Sequence, residues 1–332
     1  WGKAAELQQG LEDSAAQVVI CDEARFGFIR ETGLSMTTLL VDAAQAGQAD
    51  HDWSVALGAD MQHTPVAAAP DDPAILLFTS GTAGRPKGAL FTHANACQSL
   101  MNIELIGAAT YMTNTDAMNR QMGSGIPAKT LLAVPLFHIS GLFSQFIINL
   151  RHGRGLYLMY KWDADEALRL VRESGITVLM GAPTMLLDLL NREDALSSDF
   201  TAIANISAGG ADTPPLLHDL YRQKTPDGLA GAGWGLTESG GTGAAFTGHY
   251  AHERPGTSGF PSPIMEFRFC DEQGSAVADG TPGEMWVRSG ATISGYVSGA
   301  PAESVFDDGW LATGDIGYID KEGLLHICGR AK

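Results

Sequence analysis

The feature that most constrains the fold is an alternation of short apolar runs with helix-period segments over the first two hundred residues. Ala4, Leu7, Leu11 and Ala15 recur at helical spacing, and Val18-Val19-Ile20-Cys21 follows as an uninterrupted apolar run. The pattern repeats. Ala74 to Phe78, Leu131 to Val134 and Ile176 to Met180 read as buried strands, and His93 to Ile106, Ala164 to Ser174 and Thr184 to Asn191 read as helices. Strands that lack a polar face must be covered on both sides, and helices between them supply the cover, so the expectation is a parallel α/β sheet. Beyond Ala202 the helical period fades. Glu266 to Cys270 and Gly283 to Val287 appear as short strands between Gly/Pro turns, the texture of a small antiparallel sheet or barrel. Pro65 to Pro73, with three prolines and no apolar period, reads as a linker.

Composition excludes several classes. With 21 Lys+Arg against 38 Asp+Glu the net charge is −17, and no basic run exists to follow a phosphate backbone or an anionic membrane. Cys21, Cys97, Cys270 and Cys328 lie far apart, which disfavours a zinc knuckle or a disulfide framework and fits a reducing, cytoplasmic setting. Leu131 to Leu150 has the length of a membrane span, but Pro135, His138, Gln145 and Asn149 interrupt it, so strand, turn and core-facing helix is the expected reading. His249 and His252 with Glu253 have ligand-type side chains without further ligands nearby, and no metal is expected there. The 40 glycines exceed ordinary usage, which leaves two explanations, abundant loops or close backbone approach at several points.

The densest chemistry lies in Thr79-Ser80-Gly81-Thr82-Ala83-Gly84-Arg85-Pro86-Lys87-Gly88, directly after a buried strand. Hydroxyls, glycines and a lysine so close together suit the wrapping of phosphate oxygens by N–H and O–H donors. It is not a Walker loop, since Pro86 and Gly88 flank the lysine.

This segment resembles the phosphate loop of the adenylate-forming superfamily, which includes acyl- and aryl-CoA synthetases, luciferases and peptide-synthetase adenylation domains. Further segments match in order: Gly209-Gly210-Ala211, Gly233-Trp234-Gly235-Leu236-Thr237-Glu238 (similar to G-Y-G-x-T-E with Trp for Tyr), Thr313-Gly314-Asp315 and Gly329-Arg330-Ala331-Lys332. Residues 6–22 are similar to the E-L-x-x-x-L-x-D-S segment. Pro135-Leu136-Phe137-His138-Ile139-Ser140-Gly141 resembles the P-x-F-H-x-x-G of fatty acyl-CoA synthetases.

The resemblance implies the large N-terminal domain of an adenylate-forming enzyme, with parallel α/β sheets plus a small antiparallel β-barrel-like subdomain, cut at both ends. The expected division is 1–201 for the α/β subdomains, 202–328 for the adenine motifs and antiparallel part, and 329–332 for the start of a hinge to a C-terminal domain. The implied reaction is attack of a carboxylate on the α-phosphorus of ATP, followed by thioester formation with CoA. By resemblance Thr79, Ser80, Gly81, Thr82, Gly84 and Lys87 hold phosphates, with Thr82, Lys87, Thr237 and Glu238 as the catalytic set and Glu238 on Mg²⁺. Gly210, Ala211, Trp234 and Gly235 would border adenine, Asp315 the ribose, and Ile327 and Arg330 the nucleotide's remaining side. His138, Gly141, Gly209 and Gly233 would line the acid site, walled by Leu142, Phe143, Met180 and Met185. A hydrophobic aliphatic or bulky carboxylate is expected, with an aryl acid close behind. The cofactors that the resemblance implies are ATP, Mg²⁺ and CoA, and a homo-oligomer stays open. Two alternatives remain, an adenylation domain that loads a carrier protein and a non-catalytic nucleotide-binding module. The catalytic lysine of such enzymes lies past the hinge, so these 332 residues are expected to adenylate poorly alone.

Overall fold

The computed structural model describes residues 4–41, 50–58, 66–79, 86–297 and 306–331. The chain divides into two compact units, residues 1–93 with 294–302, and residues 94–293 with 303–332.

In the first unit, the helices Ala4–Asp13 and Glu23–Thr32 accompany a parallel sheet of Val18–Cys21, Thr37–Leu40 and His51–Asp52. Asp22 sets where the second helix starts: its carboxylate accepts the Arg25 backbone N–H at 2.9 Å, satisfying a donor that has no partner within the helix. A second sheet departs from the expected strand-to-helix order. The strand Pro73–Thr79 is followed by the strand Lys87–Thr92, which returns antiparallel to it and leads straight into the helix His93–Thr113. Gly295–Tyr296 adds a third, antiparallel strand to Lys87–Thr92.

The second unit carries a seven-stranded sheet in the order Phe260–Pro261, Ala244–Thr247, Leu229–Trp234, Asn205–Ala208, Val178–Gly181, Lys129–Leu132, Gly155–Leu158. Its members from Leu229–Trp234 to Gly155–Leu158 are mutually parallel, and the first two pair antiparallel. The helix Ala164–Ser174 shows why one face is covered so well. Asp163 caps it by accepting the Glu166 N–H at 3.0 Å, and Ala167, Leu168 and Val171 share the face that enters a core with Ile176, Leu179, Leu189, Ile206 and Leu217.

The change of texture expected at 202 is not a boundary in this sheet. Asn205–Ala208 and Leu229–Trp234 continue it, because their apolar side chains share the core of the preceding strands. The antiparallel part starts later. Glu266–Cys270, Gly283–Arg288, Trp310–Ile319 and Phe306–Asp307 form a sheet on which Leu325–Arg330 pairs with Trp310–Ile319, and Trp234, Met265, Met285, Val287, Leu311 and Leu325 fill its inner side.

The stretch Leu131 to Leu150 resolves into the end of Lys129–Leu132, a turn, and a helix from Ile139 to Arg151 whose middle, Leu142–Ile147, widens into π geometry. Asn149 and Gln145 on this helix are buried, and Asn149 accepts a hydrogen bond from Thr130. No described helix is long and apolar enough to cross a membrane.

Candidate functional site

In the second unit the singled-out segments gather at one edge of the sheet. Gly233-Trp234-Gly235 closes the strand Leu229–Trp234, Gly209-Gly210-Ala211 follows Asn205–Ala208, Met180 ends near the tip of Val178–Gly181, and Pro135 to His138 follows Lys129–Leu132. These strands are neighbours and parallel, so the segments share their carboxyl ends, where open α/β sheets bind ligands.

The turn after Trp234 is tightly built. The Leu236 N–H donates to Ser239 Oγ at 2.9 Å, the Gly241 N–H to the Leu236 carbonyl at 2.9 Å, and the Gly243 N–H to the Trp234 carbonyl at 2.8 Å. A Cβ on Gly235 would lie 1.4 Å from the Gly241 carbonyl oxygen, so only glycine allows this close approach. The turn thereby fixes Thr237 and Glu238, and the Ile293 N–H holds the Glu238 carbonyl at 3.0 Å. Gly209, Gly210 and Ala211 are exposed, with open space where a Gly209 side chain would go.

Trp234 is not an open platform. Its indole is 8% exposed, lies 5.8 Å from the Phe267 ring, and has Gly243 and Met265 against it, so a base stacking on it would require one of these neighbours to move. Its N–H donates to Asp315 Oδ2 at 2.8 Å. Asp315 is 5% exposed, and Arg330 donates to its other oxygen at 2.6 Å. The strand pairing sets this contact, since Asp315 and Arg330 are register partners. Each carboxylate oxygen keeps one further lone pair, enough for one hydroxyl apiece. Thr313 turns inward to the Met285 carbonyl at 2.6 Å and also accepts the Asp315 N–H at 3.1 Å, which holds the Thr313-Gly314-Asp315 turn. Ile327 stands exposed two strand positions earlier on the same strand as Gly329.

His138 is exposed and rests against Phe137, ring centroids 4.8 Å apart. Gly141 is buried against the Pro135 carbonyl and shapes the turn rather than offering surface. Phe143 departs from the expected tunnel wall: it is fully buried because the helix turns it into the core, whereas Leu142, Met180 and Met185 stay partly exposed. His249 and Glu253 pair at 3.0 Å.

In the first unit, Thr79 and Lys87 are register partners at the ends of the hairpin strands. Ser80, Gly81, Thr82 and Gly84 lie outside the described residues. The Lys87 ammonium sits 5.3 Å from the centre of the Tyr296 ring. Sequence reasoning missed Tyr296, which carries no periodic signal, and Asn102, whose amide donates to the Thr242 carbonyl at 2.7 Å from the buried face of the long helix.

A family model described as AMP-binding enzyme matches residues 2–297. The 4-coumarate–CoA ligase-like 9 of Arabidopsis thaliana is 28% identical over 335 residues, 100% of this chain and 57% of that protein. ATP-bound MatB from Rhodopseudomonas palustris superposes with a TM-score of 0.81 at 26% identity, over 100% of this chain and 62% of that one. O-succinylbenzoate coenzyme A synthetase (MenE) from Bacillus subtilis, solved with ATP and magnesium ion, gives 0.76 at 24% over 99% and 62%, a likeness of fold. The chain thus spans little more than half the length of the curated relative it matches.

Proposed function

The chain belongs to the AMP-binding enzyme family, and from that premise we propose that it activates a carboxylic acid with ATP and passes the acyl group to CoA. The observation that carries the reading is the Trp234–Asp315–Arg330 cluster, a buried carboxylate held from both sides with a lone pair left on each oxygen, which suits two vicinal ribose hydroxyls. Trp234 acts here chiefly by holding Asp315 and closing the floor beside adenine, with Gly210 and Ala211 at the rim. Ile327 and Arg330 flank the same nucleotide. Lys87, Thr79 and the loop to Gly88 take the β- and γ-phosphates, and Thr237 donates to the α-phosphate. Glu238 offers a hard carboxylate oxygen to Mg²⁺, which when bound neutralises phosphate charge.

The chemistry needs positioning more than a base. A carboxylate is already ionised near neutral pH, so its oxygen must be aimed in line with the leaving pyrophosphate, and charge building on the phosphates must meet fixed donors. His138, Gly209 and Gly233 border the acid, and the open space at Gly209 leaves room for its chain. The acid is read as hydrophobic, with Leu142, Met180 and Met185 as its apolar contacts. An aryl acid is the second reading, favoured by the relative named as a 4-coumarate–CoA ligase-like protein.

The test is a carboxylate panel read by pyrophosphate release with and without CoA, using the protein extended past Lys332 through the C-terminal domain that the resemblance implies. Acid-dependent release with thioester formed only when CoA is present supports the reading. Discharge to a carrier-protein thiol but not to CoA moves the chain to the peptide-synthetase type, and release that ignores the acid overturns the assignment.

A further inference from the structure

We propose that Tyr296 is a positioning residue for Lys87: its ring face holds the ammonium of the phosphate-loop lysine so that it is poised for the β- and γ-phosphates. The inference rests on the reading of Lys87 as a phosphate ligand and adds to it a residue from a distant part of the chain. Backbone pairing comes first. Gly295–Tyr296 joins the strand Lys87–Thr92 with Tyr296 opposite Ala89 and Gly295 opposite Leu90, and the Val297 N–H donates to the Gly88 carbonyl at 2.9 Å. Side chains two apart on a strand share a face, so Lys87 and Ala89 point the same way and Tyr296 meets Lys87 as a diagonal neighbour.

Two small residues make that diagonal contact available. Ala89 is fully buried and presents only a methyl between the two longer side chains. On the opposite face, a Cβ on Gly88 would come within 2.6 Å of Val297 Cγ2 and 3.1 Å of Leu76 Cδ1, so glycine is what lets the Gly295–Tyr296 strand dock this closely. The ammonium then sits 5.3 Å from the ring centre, inside the roughly 6 Å reach of a cation–π contact.

A lysine tip otherwise samples many rotamers, and each phosphate contact must first arrest it. The ring arrests it in advance without neutralising it. A carboxylate in the same place would hold the ammonium as firmly and cancel the charge that phosphate needs, whereas a π face leaves the positive charge whole. The contact on which Tyr296 acts is the one with Lys87.

The experiment titrates ATP and AMP, each with Mg²⁺, into the chain by calorimetry. AMP lacks the phosphates assigned to Lys87, so the ATP-to-AMP affinity ratio isolates the lysine. In Tyr296→Leu we expect that ratio to fall about two- to fivefold, the span of a partly exposed cation–π contact, with AMP affinity unchanged. Tyr296→Phe and Tyr296→Trp, which keep a π face, should retain the parent ratio, and on a Lys87→Ala background Tyr296→Leu should cost nothing more. A Tyr296→Leu ratio equal to the parent's overturns the inference, as does a loss in Tyr296→Phe as large as in Tyr296→Leu. Should Tyr296→Leu not fold, Tyr296→Ile takes its place as the variant without a π face and is read against the same two aromatic variants. If Lys87→Ala leaves the ratio where it was, the reading of Lys87 as a phosphate ligand fails, and the inference goes with it.

Discussion

Removing the indole N–H that holds Asp315 gives the sharpest energetic prediction. Trp234→Phe keeps an aromatic ring in the pocket but loses the donor that lies 2.8 Å from Asp315 Oδ2. Both groups are buried, at 8% and 5% exposure, so water cannot replace the lost bond without entering the core beside Phe267, Met265 and Met285. A hydrogen bond to a charged group contributes about 1.5–3 kcal/mol. The smaller ring forfeits roughly two carbons of packing, about 1–2 kcal/mol more. The single variant therefore loses about 2.5–5 kcal/mol of unfolding free energy. A cycle with Asp315→Ala separates the two parts, because the packing loss is common to both backgrounds and the hydrogen bond is not. Urea unfolding followed by far-UV circular dichroism should return a coupling energy of about 1.5–3 kcal/mol between Trp234 and Asp315. A coupling below about 0.5 kcal/mol, the scatter expected for independent sites, would refute the claim that the indole N–H holds this carboxylate.

Other expectations follow from the same geometry. Gly235→Ala must push a methyl into the Gly241 carbonyl, and a loss at or above about 3 kcal/mol in urea unfolding is expected, whereas Gly209→Ala faces open space and should stay within about 0.5 kcal/mol of the parent. Burial, then the charges of Arg222 and His252, hold His218 below the usual histidine range against the opposing pull of Asp219 and Asp212. Burial, Arg222 and His249 do the same to His252 against a backbone bond at Gly228. A lowered folded value means that the unfolded chain takes up protons first, so stability is retained above about pH 6.5 and falls as pH drops below it. The difference between melting temperatures measured at about pH 8 and about pH 5.5, either side of the ordinary histidine value, should narrow in His218→Gln, with the His252 share remaining, and an unchanged gap would contradict this.

What was legible in the sequence was local. The helix Ala164–Ser174 falls where its own signals put it, because Asp163, Gly175 and the apolar spacing of Ala167, Leu168 and Val171 all act within a few residues. The strand Lys87–Thr92 was not foreseen. Both of its faces are covered, Ala89 and Phe91 on one side and Gly88 on the other, so no alternation marks it, and its partners come from either side in the chain. Fading helical period past Ala202 reports the end of the helices, while the strands Asn205–Ala208 and Leu229–Trp234 from the next stretch still complete the same sheet.

Within the candidate site the motifs located residues but not their contacts. Trp234 was legible as a singled-out aromatic, yet its bond to Asp315 joins strands of two different sheets and leaves no trace in spacing. Gly235 stood out by its place beside Thr237 and Glu238, and the carbonyl that requires it became visible only once the turn closed. Phe143 was misplaced because an apolar helix segment looks the same whether it faces a tunnel or the core.

Carboxylate-dependent exchange of labelled pyrophosphate into ATP tests the central claim most directly, since it reports acyl-adenylate formation without needing CoA. In the full-length protein the account predicts exchange that appears only with an accepted acid and falls about 100-fold or more in Lys87→Ala and in Glu238→Gln, as when a fixed donor to developing charge is removed. Exchange that survives both substitutions, or that never depends on a carboxylic acid, would contradict it.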